Sequence, residues 1–184
     1  MGAKTVKGYT MKLNMENFSK ASYDVFSMFS DRWALVTSGN MEDFNTMTIA
    51  WGGLGSVWSS PGSTKQIVEV FVRENHRTAD YILENEYFTV SFFPPEYRKD
   101  LGILGSVSGH DNPDKLDLTK LTPKPMGVSV GFEQAELSFL CKKIFCHLID
   151  SEALPEDILK VNYSYDEHMH YIFFGEICGI EGEI

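Results

Sequence analysis

Basic residues are scarce in this sequence. The 184 residues include 16 Lys and Arg against 26 Asp and Glu, so the formal net charge is −10 at pH 7. A nucleic-acid-binding protein needs basic surface to displace counterions from phosphates, and this charge balance therefore argues against a nucleic-acid partner. It does not exclude the binding of one small anion by a local group of cations.

Cysteine is scarce as well. The three cysteines are Cys141, Cys146 and Cys178, and no two of them form a C-x-x-C pair. The odd number and the spacing argue against a secreted disulfide framework and against a structural zinc site. We therefore predict reduced, partly buried thiols, whose further role the sequence leaves open.

The sequence shows neither a long apolar run nor the pattern of a signal peptide. No apolar run approaches the ~18–20 residues that a membrane helix needs. The charged N-terminal segment is not followed by the apolar core of a signal peptide. We expect no membrane partner and a cytoplasmic protein.

What the sequence does contain is a series of β-type segments. They are rich in Val, Ile, Thr and aromatic residues, and most are bounded by Gly, Pro, Asn or Asp. They run over residues 33–38, 45–51, 66–73, 87–93, 135–149 and 169–177. The length predicts one domain over residues 1–184, with residues 1–30 as a lead-in that packs on it as a short helical turn or lies across it.

Two short helices interrupt the strands. Thr78 is predicted to cap the first, and Pro95 to open the second, which should stop at Gly105. Many strands, few helices and no βαβ alternation predict a mainly β protein, an antiparallel β-barrel with Greek-key connections. A Rossmann sheet is disfavoured.

The sequence contains no G-x-S-x-G, H-E-x-x-H or P-loop motif. His168 and His170, with Asp166 and Glu167 nearby, lack a third well-spaced ligand, and we predict no metal site from them. Any chemistry is therefore expected to belong to a bound cofactor.

Three segments are candidates for ligand binding. Thr46 and Thr48 share one face of a strand beside a Gly-rich exit, although Thr is also an ordinary strand residue. Arg73 and Arg77 lie four apart near a predicted helix start, which would suit a phosphate dianion or form an ordinary solvated turn. Residues 106–115 form a polar loop.

Taken together, these segments resemble the flavin reductase-like proteins, and within them the flavoredoxin branch. The likeness covers residues 33–178, and the matching segments are residues 45–51, 72–73, 77–78, 88–92, 108–111, 114–115, 136–137, 141–144, 171–172 and 175–177. The resemblance implies an FMN-binding split β-barrel that forms a homodimer, with flavin near the subunit interface.

The resemblance also implies a function. Reducing equivalents would pass from NAD(P)H through bound FMN to an unidentified small-molecule or redox-protein acceptor. The alternative is a flavoredoxin-type FMN electron-transfer protein without NAD(P)H activity of its own. A third possibility is a small-molecule-binding barrel that has lost flavin.

The resemblance further implies which residues bind the flavin. Those implied near it are Asn45, Thr46, Met47 and Thr48, with Trp51 near its ring; Arg73, Arg77 and Thr78 on its phosphate side; Ser91 and Phe92 at its border; and Ser108, Gly109 and Lys115 closing over it. His110 stands where related sequences often have Arg. An unperturbed imidazole has a pKa of ~6.5, so His110 is not a fixed cation at neutral pH.

Overall fold

The computed structural model describes residues 14–18, 20, 22–60, 62–164 and 168–182. The start of the predicted lead-in, residues 1–13, lies outside them. The helices are α1 Met15–Phe18, α2 Val25–Ser30, α3 Arg77–Glu84, α4 Arg98–Ser106 and α5 Glu156–Asn162, with 3-10 turns at Pro95–Tyr97, Lys115–Leu118 and Ser151–Ala153. The strands are β1 Ala34–Gly39, β2 Phe44–Ile49, β3 Gly52–Ser60, β4 Ser63–Arg73, β5 Tyr87–Phe92, β6 Pro123–Met126, β7 Ser129–Phe132, β8 Leu137–Leu148 and β9 His170–Gly182.

Seven of these strands form one sheet in the order β2-β1-β5-β8-β9-β4-β3, and β6 and β7 form a separate hairpin. Every pairing is antiparallel. Strands distant in sequence, such as β1 and β5 or β4 and β9, lie side by side, as Greek-key connections require. The predicted mainly β, antiparallel architecture is confirmed. No helix in the described part of the chain is long and apolar enough to cross a bilayer.

The core follows from alternation along the strands. Val68, Val70 and Val72 of β4 are completely buried, as their spacing of two predicts. Phe88 of β5 and Phe139 of β8 are buried in the same cluster as these valines. Each buried ring removes an apolar area from water that strongly stabilises the sheet.

The lead-in contributes to the same core through some of its aromatic residues. Phe18 stacks on Tyr23 and meets the edge of Phe139, while Phe29 of α2 meets the edge of Phe92. Phe26, in contrast, is 85% exposed. Among its described residues, the lead-in thus packs Phe18, Tyr23 and Phe29 on the core and leaves Phe26 in solvent.

Both predicted helices exist, but their ends differ from the prediction. Thr78 is not an N-cap, because α3 already begins at Arg77 and His76 occupies the N-cap position. Pro95 opens a 3-10 turn ahead of α4. Gly105 lies inside α4, which continues to Ser106.

Gly175 is a position where β9 can carry no side chain. A Cβ there would lie 2.5 Å from Cβ of Cys141 and 2.5 Å from Cζ of Phe88, and both side chains are fixed in the core. We expect Gly175→Ala to lower the free energy of unfolding by roughly 1–3 kcal/mol through overpacking, measured by chemical denaturation. Gly55→Ala is the matched control, since its Cβ would meet nothing closer than 3.5 Å. Equal losses in the two variants would contradict this packing.

Candidate functional site

A pocket of about 250 Å³ lies between the start of β2, the start of α3 and the loop that follows α4. We call it the cation pocket. Of the residues implied by the resemblance, it brings together Asn45, Arg77, Thr78, Ser108, Gly109 and Lys115. These residues come from three separate segments, so the fold is what assembles them.

Asn45 and Thr78 lock two of these segments together. The Thr78 hydroxyl donates a 2.7 Å hydrogen bond to Oδ1 of Asn45, and both side chains are buried. The loop approaches the same amide closely, because a Cβ on Gly109 would lie 2.8 Å from Nδ2 of Asn45. A glycine is therefore required where the loop passes β2.

Lys115 is the most unusual residue of the pocket. It is only 4% exposed, and its Nζ donates to the carbonyl oxygens of Leu104, at 3.1 Å, and Val107, at 3.0 Å. No carboxylate among the described residues forms an ion pair with it. Burial lowers the pKa of Lys115 to about 8. A buried ammonium without an acidic partner is unfavourable unless another anion supplies the missing charge.

Arg77 supplies a second positive charge. Its Nη1 donates to the carbonyl oxygen of Gly109 at 3.0 Å, and its Nη2 to the hydroxyl of Tyr81 at 3.2 Å. Within the described residues it also makes no ion pair. The side chain of His76 makes no capping hydrogen bond at the start of α3, where the helix dipole favours an anion.

A second pocket of about 330 Å³ adjoins the first. The two share Asn45, Arg77 and Lys115. The rest of its wall includes the acidic residues Glu42, Asp43, Asp114 and Asp117, and we call it the acidic pocket. Arg77 and Lys115 thus lie where the cation pocket meets the acidic pocket.

Arg73 does not lie beside Arg77 in the cation pocket, although the sequence suggested that the two arginines form one phosphate site. Its Nη2 donates to the carbonyl oxygen of Asn162 at 3.0 Å, and its guanidinium lies 5.8 Å from the ring centroid of Tyr163. The reason is that Arg73 ends β4 whereas Arg77 begins α3. The strand turns the first side chain toward α5 and away from the pocket.

The threonine hydroxyls of β2 are also used differently from the expectation. Thr46 Oγ1 lies 2.7 Å from Thr37 Oγ1 and 3.3 Å from the carbonyl oxygen of Val36, although Thr46 lines the acidic pocket. Thr48 Oγ1 donates to the carbonyl oxygen of Leu101 at 2.6 Å, which joins β2 to α4. Both hydroxyls already have protein partners.

Four other implied residues lie outside the cation pocket. Met47 is 7% exposed and points into the core, because alternation turns it away from Thr46. Ser91 and Phe92 are fully buried, with Ser91 Oγ 2.8 Å from Ser138 Oγ. Trp51 is 43% exposed and lines a different groove of about 550 Å³. The structure does not bring these four side chains to the two cations.

His110 and His170 contact residues away from the centre of the cation pocket. His110 Nε2 lies 3.7 Å from Oδ2 of Asp80, and both side chains are half-exposed. His170 Nδ1 lies 3.0 Å from the hydroxyl of Tyr163. Among the described residues, no three His, Cys, Asp or Glu side chains gather as metal ligands. Asp166 and Glu167 lie outside those residues.

The cysteines are all free thiols in the structure. Cys141 is buried, Cys146 is half-buried and Cys178 is exposed. Burial raises the pKa of Cys141 well above its usual range, and it raises the pKa of Cys146 as well. None of the three lines the cation pocket.

Two residues near Arg77 were not anticipated from the sequence. Tyr81 donates a 2.5 Å hydrogen bond to Oδ1 of Asp43, and it accepts the hydrogen bond from Arg77. The spacing of Arg77 and Tyr81, four residues apart on one helix, was the available signal for the contact between these two residues. Nothing in the local sequence indicates the contact between Tyr81 and Asp43.

Comparisons with protein-family models and with curated proteins found no match. Solved structures do match. An FMN-binding domain of a flavin reductases-like enzyme from Shewanella baltica has a TM-score of 0.61 at 16% identity, over 93% of this chain and 76% of that one. The flavoredoxin of Desulfovibrio vulgaris has a TM-score of 0.58 at 24% identity, over 82% of this chain and 68% of that one.

A protein from Shewanella frigidimarina with a split barrel domain has a TM-score of 0.59 at 11% identity, over 91% of this chain and 78% of that one. At such identities the likeness concerns the architecture. The resemblance found in the sequence is thus confirmed at the level of fold: the chain has the split-barrel fold shared by flavoredoxin and flavin reductase-like proteins.

Proposed function

We propose that this protein binds FMN, with the phosphate in the cation pocket, and acts as a flavin reductase-like oxidoreductase. The observation that carries the proposal is the buried ammonium of Lys115, which has no acidic partner among the described residues and lies beside Arg77. A phosphate dianion supplies the charge that this pair of cations lacks.

The remaining groups of the pocket suit the same ligand. Thr78 lies at the start of α3, where N–H groups and the helix dipole favour a phosphate. The hydroxyl of Ser108 accepts from the N–H groups of His110 and Asp111, so its own proton can be donated to a ligand oxygen. In the adjoining acidic pocket, Glu42, Asp114 and Asp117 can accept hydrogen bonds from sugar-like hydroxyls, whereas Asp43 already accepts from Tyr81. These residues fit FMN.

In this proposal, the side chains of the protein bind FMN and orient it. FMN, when bound, supplies hydride and electron chemistry that no side chain needs to perform. Lys115 and Arg77 would hold the phosphate, and Asn45, fixed by Thr78, would present its amide beside it. NAD(P)H is the proposed hydride donor, and a small molecule or redox protein is the acceptor. The proposal includes a homodimer with the flavin near the subunit interface.

The second candidate is a flavin-binding electron carrier that another protein reduces. The similarity to the flavoredoxin of Desulfovibrio vulgaris favours it. The two candidates share the FMN site and differ only in whether a nicotinamide reacts directly.

One experiment tests both parts. The purified protein, incubated with FMN and separated from free flavin, should retain flavin absorbance at one FMN per chain. Anaerobic addition of NADH or NADPH should then bleach that absorbance if the protein is an oxidoreductase. Bound flavin that neither nucleotide bleaches selects the electron carrier. Protein that retains no FMN contradicts both candidates, and a monomer with full FMN occupancy contradicts the homodimer.

A further inference from the structure

Arg77 is held by a chain of hydrogen bonds that reaches beyond the cation pocket. Its Nη2 donates to the Tyr81 hydroxyl at 3.2 Å, and this hydroxyl donates to Asp43 Oδ1 at 2.5 Å. At the other end of the guanidinium, Nη1 donates to the carbonyl oxygen of Gly109 at 3.0 Å. Both terminal nitrogens are therefore fixed by different segments of the chain.

The direction of each hydrogen bond is determined by chemistry. The guanidinium only donates, so the Tyr81 oxygen must accept from it. Burial, followed by the hydrogen bond to Asp43, raises the pKa of Tyr81, and the hydroxyl keeps its proton at neutral pH. That proton is the one donated to Asp43. Each link polarises the next and so strengthens it.

The arrangement of Arg77, Tyr81 and Asp43 leaves the positive charge of Arg77 without a directly contacting carboxylate among the described residues. The Tyr81 hydroxyl lies between the guanidinium and the Asp43 carboxylate, and no described carboxylate contacts Arg77 within ion-pair distance. The guanidinium also lies 5.5 Å from the centroid of the Tyr81 ring, which adds a cation–π contact. Arg77 is thus oriented by its partners and keeps a net positive charge available to a ligand.

We propose that Tyr81 and Asp43 are positioning residues that aim Arg77 at the phosphate of the bound flavin and so determine the preference for FMN over riboflavin. This rests on the proposed function. Riboflavin has the same ring and ribityl chain but no phosphate. It therefore has no phosphate oxygen that could accept a hydrogen bond from Arg77.

The test compares two ligands on one set of variants. Tyr81→Phe removes both hydrogen bonds of the hydroxyl and keeps the ring. We expect FMN to bind about tenfold more weakly, the scale of one hydrogen bond to a charged group, and riboflavin binding to change by less than about twofold. Tyr87→Phe is the matched control, since the structure gives its hydroxyl no hydrogen-bond partner among the described residues. Binding is measured by titration of flavin fluorescence.

Asp43→Asn is the second variant, and it keeps the size of the side chain. It should lower the preference for FMN in the same direction, and the double variant should lose little more than Tyr81→Phe alone, because the two residues act in series. Equal losses for FMN and riboflavin, or an unchanged ratio in both variants, would overturn the positioning role. A wild-type protein that binds FMN no better than riboflavin would instead contradict the phosphate site itself.

Discussion

Replacing Lys115 by methionine is expected to weaken FMN binding by roughly 10- to 100-fold, which is the largest single effect that the site predicts. A hydrogen bond to a charged group contributes about 1.5–3 kcal/mol, and Lys115 is the one cation of the pocket that is almost completely buried. Methionine keeps an unbranched chain of similar length but carries no charge. Titration of FMN and of riboflavin on each variant measures the effect, and riboflavin binding should change by less than about twofold.

The fold should tolerate this substitution. Methionine removes a buried charge but leaves the carbonyl oxygens of Leu104 and Val107 without the donor that they now share. These two changes act in opposite directions on the free energy of unfolding. The ligand-free variant should therefore stay folded, while added FMN should raise its Tm less than it raises that of the wild type.

Lys99→Met is the control for this experiment. Lys99 is exposed on α4, and its side chain makes no hydrogen bond or ion pair with another described residue. Its replacement removes the same charge from an already acidic protein without touching the pocket. If the two variants weakened FMN binding equally, the effect would come from net charge alone and the phosphate would not lie at Lys115.

The fold was predictable because residues typical of β-strands recur in six of its strands: β1, β2, β4, β5, β8 and β9. In β4, buried Val68, Val70 and Val72 alternate with more exposed residues, so a shift of the register by one residue would expose these valines. β3 was missed because Gly52, Gly53 and Gly55 make it a poor strand by composition. Its pairing with β4, and not its own sequence, holds it in the sheet.

The site was predictable only in outline, since local sequence does not determine where a side chain points. Arg73 and Arg77 are four residues apart, yet the change from strand to helix between them sends their guanidinium groups to different partners. The contact between Tyr81 and Asp43 joins residues 38 positions apart. The burial of Lys115 depends on carbonyl oxygens at the end of α4 that no motif marks.

Raising the pH from 7 to 9.5 is expected to lower FMN affinity by roughly tenfold. Burial lowers the pKa of Lys115 to about 8, so the ligand-free pocket loses its ammonium over this range. The stability of the ligand-free protein should change in the opposite direction. Its folded state has the lower pKa, so between pH 8 and 10.5 the unfolded state binds more protons, and the free energy of unfolding rises with pH.

Because FMN affinity falls while the free energy of unfolding rises, the titration of Lys115 can be distinguished from general alkaline denaturation, which would lower both. The other shifted groups give no comparable loss of affinity. The pKa of Tyr81 is raised, so its hydroxyl is harder to deprotonate than that of an ordinary tyrosine. The pKa of Lys143 is lowered like that of Lys115, but Lys143 donates to carbonyl oxygens at the end of α3 and does not line the pocket. In Lys115→Met, FMN affinity should therefore be independent of pH from 7 to 9.5. A pH dependence retained in that variant would show that another group titrates with the ligand.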